Sequence, residues 1–282
     1  MFIIGIAATK GGVGKTTIAA NLGGLLADLG LRVLLIDADV QPSLTRYFAL
    51  GKRAPDGLAR MVVSGALAQD CISEIALPPK NKRVPELTGT LHIVASDAED
   101  SKLQDWLAGR PDTAFRIRIA IRNSVLHDAY DIAIIDTQGA VGHLQDAAIN
   151  ASNLVLLPAS PDTISAQEFV RGTRVILERH KSIAAIGAGF NLPRIKAVIN
   201  RTEHTNDSRE MSEYIKNNYL EMQGTVEVLE TRLPYAVSYK NAARKKVPAH
   251  YINKKCAGDM HKLIWELIPS LQGQCAPGFT KK

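Results

Sequence analysis

The stretch from residue 2 to residue 30 restricts this chain more than any other. A continuous apolar run, FIIGIAA (2–8), leads into TKGGVGKTT (9–17); Ile18, Leu22, Leu25, Leu26 and Leu29 then set an apolar stripe that stops at Gly30. An apolar run without alternation reads as a strand buried on both faces. The stripe reads as a helix with one face inward, ended by a glycine. Between them Gly11, Gly12 and Gly14 let the backbone turn tightly and aim its N–H groups at one point. The first turn of the helix adds its dipole there. Strand, glycine turn and helix in this order make an anion cradle running from Lys10 through Val13 to Thr17. Lys15 is placed to reach the β- and γ-phosphates of a nucleotide, Thr16 to offer its hydroxyl to Mg²⁺, and Thr17 to touch the α-phosphate. One detail departs from the loop pattern G-x-x-x-x-G-K-[ST]: its first place holds Thr9, and a second lysine, Lys10, follows.

Further apolar runs recur along the chain: RVLLID (32–37), LHIVAS (91–96), DIAIIDT (131–137), NLVLLPA (153–159), RIKAVIN (194–200) and TVEVLET (225–231). Helical patterns alternate with them over 112–129, 163–180, 206–222 and 253–268. Strand–helix alternation predicts an α/β fold, a doubly wound and mostly parallel sheet. With 282 residues, 46 % of them apolar, and no long polar linker, a single domain over 1–282 is expected. Residues 49–90 are less regular, and PPKNKRVPEL (78–87) reads as a Pro-punctuated exposed loop. Three widely spaced cysteines, Cys71, Cys256 and Cys275, argue against a disulfide framework and fit a reducing cytoplasm. The seven histidines show no ligand spacing. The apolar N-terminus is far too short to span a membrane.

Two carboxylate-bearing strand ends complete the picture. RVLLIDADVQP places Asp37 and Asp39 two residues apart, hence on one face of a strand end; they read either as site carboxylates or as N-caps of the next helix. DIAIIDTQGA carries Asp136 at the end of a buried run, where it would reach Mg²⁺ through water.

The form K-G-G-V-G-K-T-T (10–17) resembles the deviant Walker A loop of the ParA/MinD family of P-loop NTPases. The resemblance covers roughly residues 2–265. It implies that Lys10 reaches across an ATP-sandwich homodimer to the phosphates on the other subunit, a second positive charge acting as an arginine finger does. It implies catalytic roles for Lys10, Lys15 and Asp39, with Asp39 orienting the attacking water, and Mg²⁺ held by Thr16, Asp37 and Asp136. Val40 stands where the family has Pro, and Gln138-Gly139 where it has Pro-Pro. VINR (198–201) resembles the base-contacting segment, giving Asn200 and Arg201 as cofactor-binding candidates, and TRLPYAV (231–237) places Pro234 beside the base. Adenine rather than guanine follows from the resemblance.

Net charge is +6, with residues 231–282 at +8 and the rest at −2. A local basic field suits a polyanion, an anionic membrane surface, or plain solvation. The family resemblance favours DNA bound without sequence preference, through Lys240, Arg244, Lys245 and Lys246, with Arg209 and Lys216 as secondary candidates. It further implies a ParB-like centromere-binding activator and a nucleoid-associated place in the cytoplasm. The first strand begins at residue 2, so no preceding helix-turn-helix is expected. A MinD-like membrane regulator is the alternative, but the last helix is followed by Pro269, Gly273, Pro277 and Gly278, and no stable membrane association is expected. The cysteines form no pair that would bridge a metal cluster, whereas a ligase-type relative stays open.

Overall fold

The computed structural model describes residues 1–78, 89–97, 102–186, 192–221 and 225–279. Its strands are β1 (Phe2–Ile6), β2 (Arg32–Ala38), β3 (Leu50–Lys52), β4 (Ile72–Ile75), β5 (Thr90–Val94), β6 (Ile132–Thr137), β7 (Leu154–Ala159), β8 (Arg194–Thr202) and β9 (Glu227–Pro234). The helices are α1 (Lys15–Asp28), α2 (Ser43–Tyr47), α3 (Leu58–Ser64), α4 (Lys102–Ala108), α5 (Arg116–Arg122), α6 (His143–Ala151), α7 (Thr163–Ile186), α8 (Asn206–Glu221), α9 (Val237–Lys245) and α10 (Lys254–Leu267). The described strands join in one sheet of order β3-β4-β5-β2-β6-β1-β7-β8-β9. All pairs from β5 to β9 are parallel; β3 and β4 run antiparallel at one edge.

The continuous apolar runs have a direct cause. Along β2, Val33 and Leu35 pack with α1 and α10 on one face, while Leu34 and Ile36 pack with α3, α5 and α6 on the other. The same division holds for Ile132 and Ile134 against Ala133 and Ile135 in β6. Helices cover both faces, so every position along these strands is interior. The ladder of β7 with β1 stops at Leu156, before Pro158, whose missing N–H would interrupt it.

The structure departs from the sequence expectations at several places. The helix expected over 112–129 is broken. Thr113 turns its hydroxyl onto the Arg110 carbonyl at 2.9 Å, α5 ends at Arg122, and the Ser124 hydroxyl donates to Leu67 O (2.6 Å) while accepting from Leu126 N (3.0 Å). Such side-chain bonds offer the backbone an alternative to the helix ladder. Strands β3 and β4 lie within the region read as irregular, being too short for a periodic signal. Helices α3, α4, α6 and α9 are not marked by the apolar patterns in the sequence. Of the exposed loop expected over 78–87, residues 79–87 lie outside the described residues.

Two features tie the periphery to the centre. Asn21, almost fully buried in α1, donates to Thr17 O (2.7 Å) and Tyr47 Oη (3.2 Å) and accepts from Ala249 N (2.6 Å). At the outer edge, Glu266 of α10 accepts from the successive N–H groups of Glu230 (2.8 Å) and Thr231 (2.7 Å) on β9. Helix α1 also holds two adjacent glycines, which cost about 1 kcal/mol each in helix propensity. Their reason is packing: a Cβ on Gly23 would lie 2.7 Å from Leu35 Cδ2, and one on Gly24 2.4 Å from Pro248 Cγ. The Pro248 ring is rigid, so Gly24→Ala is expected to lower stability by about 1–3 kcal/mol despite the better helix former. A melting temperature at or above that of the wild type would refute this packing account.

Candidate functional site

The loop between β1 and α1 folds as its glycines require. Gly12 and Gly14 have φ of 79° and 94°, a region L side chains rarely adopt. Gly14 O accepts from Ile18 N (2.9 Å), the first helical bond of α1. A Cβ on Gly14 would fall 2.3 Å from Asn200 Nδ2, which donates to Val13 O at 2.7 Å. Asn200, expected to read the base, is thus also tethered to the phosphate loop.

The departures Thr9 and Lys10 find their partners one helical turn apart on α7. A Cβ on Gly172 would overlap the Thr9 hydroxyl, so α7 is glycine where Thr9 lies. Lys10 Nζ sits 2.9 Å from Glu168 Oε2 and is about two-fifths exposed, at the outer edge of the loop. That hydrogen bond holds the Lys10 ammonium above its ordinary pKa. The loop after β6 also comes close: a Cβ on Gly139 would lie 2.7 Å from Gly11 Cα. Gly139 therefore lets the two loops touch where any side chain would separate them.

The carboxylates are set by strand register. Asp37 on β2 and Asp136 on β6 are direct partners, and Asp136 also faces Ile6 of β1. Both are fully buried. Thr16 Oγ1 donates to Asp136 Oδ2 (2.6 Å), and Thr45 donates to Asp37 Oδ2 from both its N–H and its hydroxyl, each at 2.7 Å. The cap reading of Asp37 is thus partly realised, since Thr45 N belongs to the first turn of α2. The other oxygens, Asp37 Oδ1 and Asp136 Oδ1, have no hydrogen-bond partner. Burial pushes Asp37 up to about 7. Burial, reinforced by the Asp37 charge, pushes Asp136 to about 8. Lys15 is lowered by burial against the pull of Asp136 and Asp39. Two orphaned hard oxygens beside a threonine hydroxyl are the donor set a Mg²⁺ ion takes, so these residues fit the cation. Asp39 is half-buried at the mouth, with Oδ1 accepting from Gln41 N (2.9 Å).

Beside the loop lies a cleft walled by Thr17, expected at the α-phosphate, and by Asn200, Arg201 and Pro234, expected at the base. Tyr235, Tyr239 and Met260 add apolar wall that the motifs did not reveal. Of the six basic candidates, Lys240 also lines this cleft, with Nζ 5.4 Å from the Tyr235 ring centre. Arg244 and Lys245 end α9 and Lys246 caps it in the left-handed conformation, all exposed, as suits cations at a helix C-terminus. Arg209 is exposed on α8, whereas Lys216 lies 3.4 Å from Glu230. The Arg244–Lys246 group and Lys216 are therefore on different elements and in different charge environments.

A family model described as an AAA domain matches residues 1–185, more than half of the chain. The chain belongs to this family and is of its ParA/MinD type. The chain is 32 % identical to the chromosome-partitioning ATPase Soj of Thermus thermophilus over 68 % of the chain and 65 % of the relative. It is 29 % identical to the chromosome partitioning protein ParA of Caulobacter vibrioides over 62 % and 61 %. It spans about half the length (50 %) of two rhizobial relatives it also matches. Among solved structures, apo McdA of Cyanothece is similar at TM-score 0.76 and 23 % identity, covering 95 % of this chain and 99 % of that one. Cobyrinic acid a,c-diamide synthase of Mycobacterium smegmatis, with bound ATP analogue and magnesium, gives 0.73 at 20 % identity, covering all of both chains (100 %).

Glu168, Gly172, Thr45 and Ser96, whose N–H donates to Thr45 Oγ1 and whose hydroxyl donates to Asp39 O, join the site without having been found in the sequence. The one signal for them was Gly172, a lone glycine inside a helical pattern, which marks close approach by a neighbour.

Asp136 has a testable electrostatic consequence. Its carboxyl titrates near 3.8 unfolded and about 8 folded, so the cation-free folded state binds more protons between those values. Its contribution to stability therefore falls as pH rises from about 4 to about 8. Asp136→Asn is expected to stabilise the cation-free protein by on the order of 2 kcal/mol at pH 8, less at pH 5, and to lose stabilisation by Mg²⁺ with ADP. Thermal melts in chelator at both pH values check this; a variant destabilised at pH 8 would contradict it.

Proposed function

We propose that this protein is a ParA-type partition ATPase. ATP and Mg²⁺ close a homodimer, the dimer holds DNA without sequence preference, and a ParB-like centromere-binding partner stimulates hydrolysis and release. The observation that carries this reading is the site itself: Lys15, Thr16 and the paired Asp37 and Asp136 surround one glycine cradle, while Lys10 stands at its outer edge. The names of the Thermus and Caulobacter relatives point to partition of DNA.

In this reading Gly11, Gly12, Val13 and Gly14 present backbone N–H groups to the phosphates, and Lys15 neutralises the β- and γ-phosphates. Thr16, Asp37 and Asp136 hold Mg²⁺, which when bound offsets charge developing on the transferred phosphoryl group. Asp39, at the mouth and oriented by its turn to Gln41, positions the attacking water. Lys10 leaves Glu168 to contact the partner's nucleotide. The base enters the cleft by Asn200, Arg201 and Pro234, with Tyr235 and Tyr239 as apolar wall. Arg244, Lys245 and Lys246 form the centre of the DNA surface, with Arg209 at its margin; Lys240 serves the nucleotide cleft, and Lys216 is partly neutralised by Glu230. The cargo is a chromosome, a plasmid or an integrative element, and the setting is the cytoplasm, on the nucleoid. A MinD-like membrane role has less support. Leu263, Ile264 and Leu267 of α10 are committed to the core, and no helix among the described residues is long and apolar enough to cross a membrane.

Three outcomes are expected. Lys15→Ala abolishes nucleotide binding. Lys10→Ala keeps binding but blocks hydrolysis that depends on dimerisation; unchanged turnover removes Lys10 from the mechanism. Replacing Lys245 and Lys246 with Ala weakens DNA binding alike on all sequences. It also flattens the slope of log K against log salt by ~0.9 for each phosphate no longer neutralised. DNA retention with ATP, ADP and no nucleotide, across a salt series, tests the whole reading; retention that ignores the nucleotide would sink it.

A further inference from the structure

The two oxygens of Asp37 are treated differently by the fold. Oδ2 receives two hydrogen bonds from Thr45, while Oδ1 receives none. Saturating one oxygen fixes the rotation of the carboxylate and leaves the other aimed in one direction. The direction of the Thr45 hydroxyl bond is itself forced. Ser96 N–H donates to Thr45 Oγ1 at 3.0 Å, and the ionised Asp37 carboxylate can only accept, so the hydroxyl proton of Thr45 goes to Asp37. Ser96 then uses its hydroxyl on the carbonyl of Asp39, at 2.6 Å. Ser96 lies just beyond the end of β5, the strand paired with β2 on the side away from β6. The loop from Asp39 to Thr45 is therefore pinned to a neighbouring strand at both of its ends.

We propose that Thr45 is a positioning residue that aims the free oxygen of Asp37 at the bound cation, and that Ser96 locks this arrangement by tying Thr45 and the Asp39 peptide to the end of β5. This rests on the reading of Asp37 as a Mg²⁺-facing carboxylate. A carboxylate held in advance loses no rotational freedom when the cation arrives, and hydrogen-bond partners of ligating groups commonly govern metal affinity by tenfold or more. The same two hydroxyls set Asp37 by its side chain and Asp39 by its backbone, so the cation site and the proposed water-orienting residue share one support. A purely structural role for Thr45, as a residue of the five-residue helix α2, predicts lost stability without a selective change in cation binding.

The test is a Mg²⁺ titration of the full chain in saturating ADP, read as the thermal shift, beside ADP binding in chelator. Thr45→Val keeps shape but removes the hydroxyl. It is expected to raise the Mg²⁺ midpoint by roughly tenfold or more while ADP binding in chelator stays as in the wild type. Thr45→Ser restores the midpoint. Should the valine variant fail to fold, Thr45→Ala, with room for a water, gives the same measurement. A midpoint unchanged, or raised no more than ADP binding itself is weakened, overturns the proposal. Asp37→Asn separates it from the reading beneath. A raised midpoint there with an unchanged one in Thr45→Val removes only the Thr45 role. An unchanged midpoint in Asp37→Asn removes the cation reading and the proposal together.

Discussion

Asp37 and Asp136 stand opposite each other on adjacent parallel strands, both out of water, and the charge on Asp37 raises the cost of ionising Asp136. A hydrophobic core tolerates such a pair only where a carboxyl keeps its proton or positive charge is close. Lys15, itself lowered by burial, is close, and the orphaned oxygens leave a place for a divalent ion. The register between β2 and β6 therefore matters chemically as well as mechanically. A slip of one residue would send one carboxylate to the opposite face of the sheet and leave the other unmatched.

The phosphate loop is held by its neighbours as much as by its own glycines. Gly172 makes room for Thr9, Gly139 for Gly11, and Gly14 for the Asn200 amide. Each close approach joins a different strand or helix to the same few loop atoms, so the cradle is fixed from three sides. Lys10 is held in another way, by an exposed ion pair with Glu168. An exposed ion pair is weak because water screens it, so a competing phosphate can displace Glu168 at small cost.

The central strands and α1 were legible because their residues answer to local rules. Continuous apolar runs mean two-sided burial, and glycine after a stripe means a helix end. Lys15, Thr16, Asp37 and Asp136 were legible because strand ends place them at one rim of a parallel sheet. What escaped was set by distant partners. Ser124 and Thr113 broke a helix whose apolar period looked unbroken, through bonds to the Leu67 and Arg110 carbonyls. The antiparallel pair β3 and β4 is too short to show a period. Glu168 gains meaning only once α7 is laid against the loop, and Lys240 stands apart from its basic neighbours only once α9 turns it toward the cleft beside Asn200 and Pro234.

The Glu266 carboxylate on β9 has a consequence for how copies of the protein can associate. An outermost strand ordinarily offers a row of unsatisfied amides to any passing chain. Here two consecutive amides, at Glu230 and Thr231, already have a partner from the molecule's own last long helix. Side-to-side pairing of sheets is thereby discouraged along this stretch of β9.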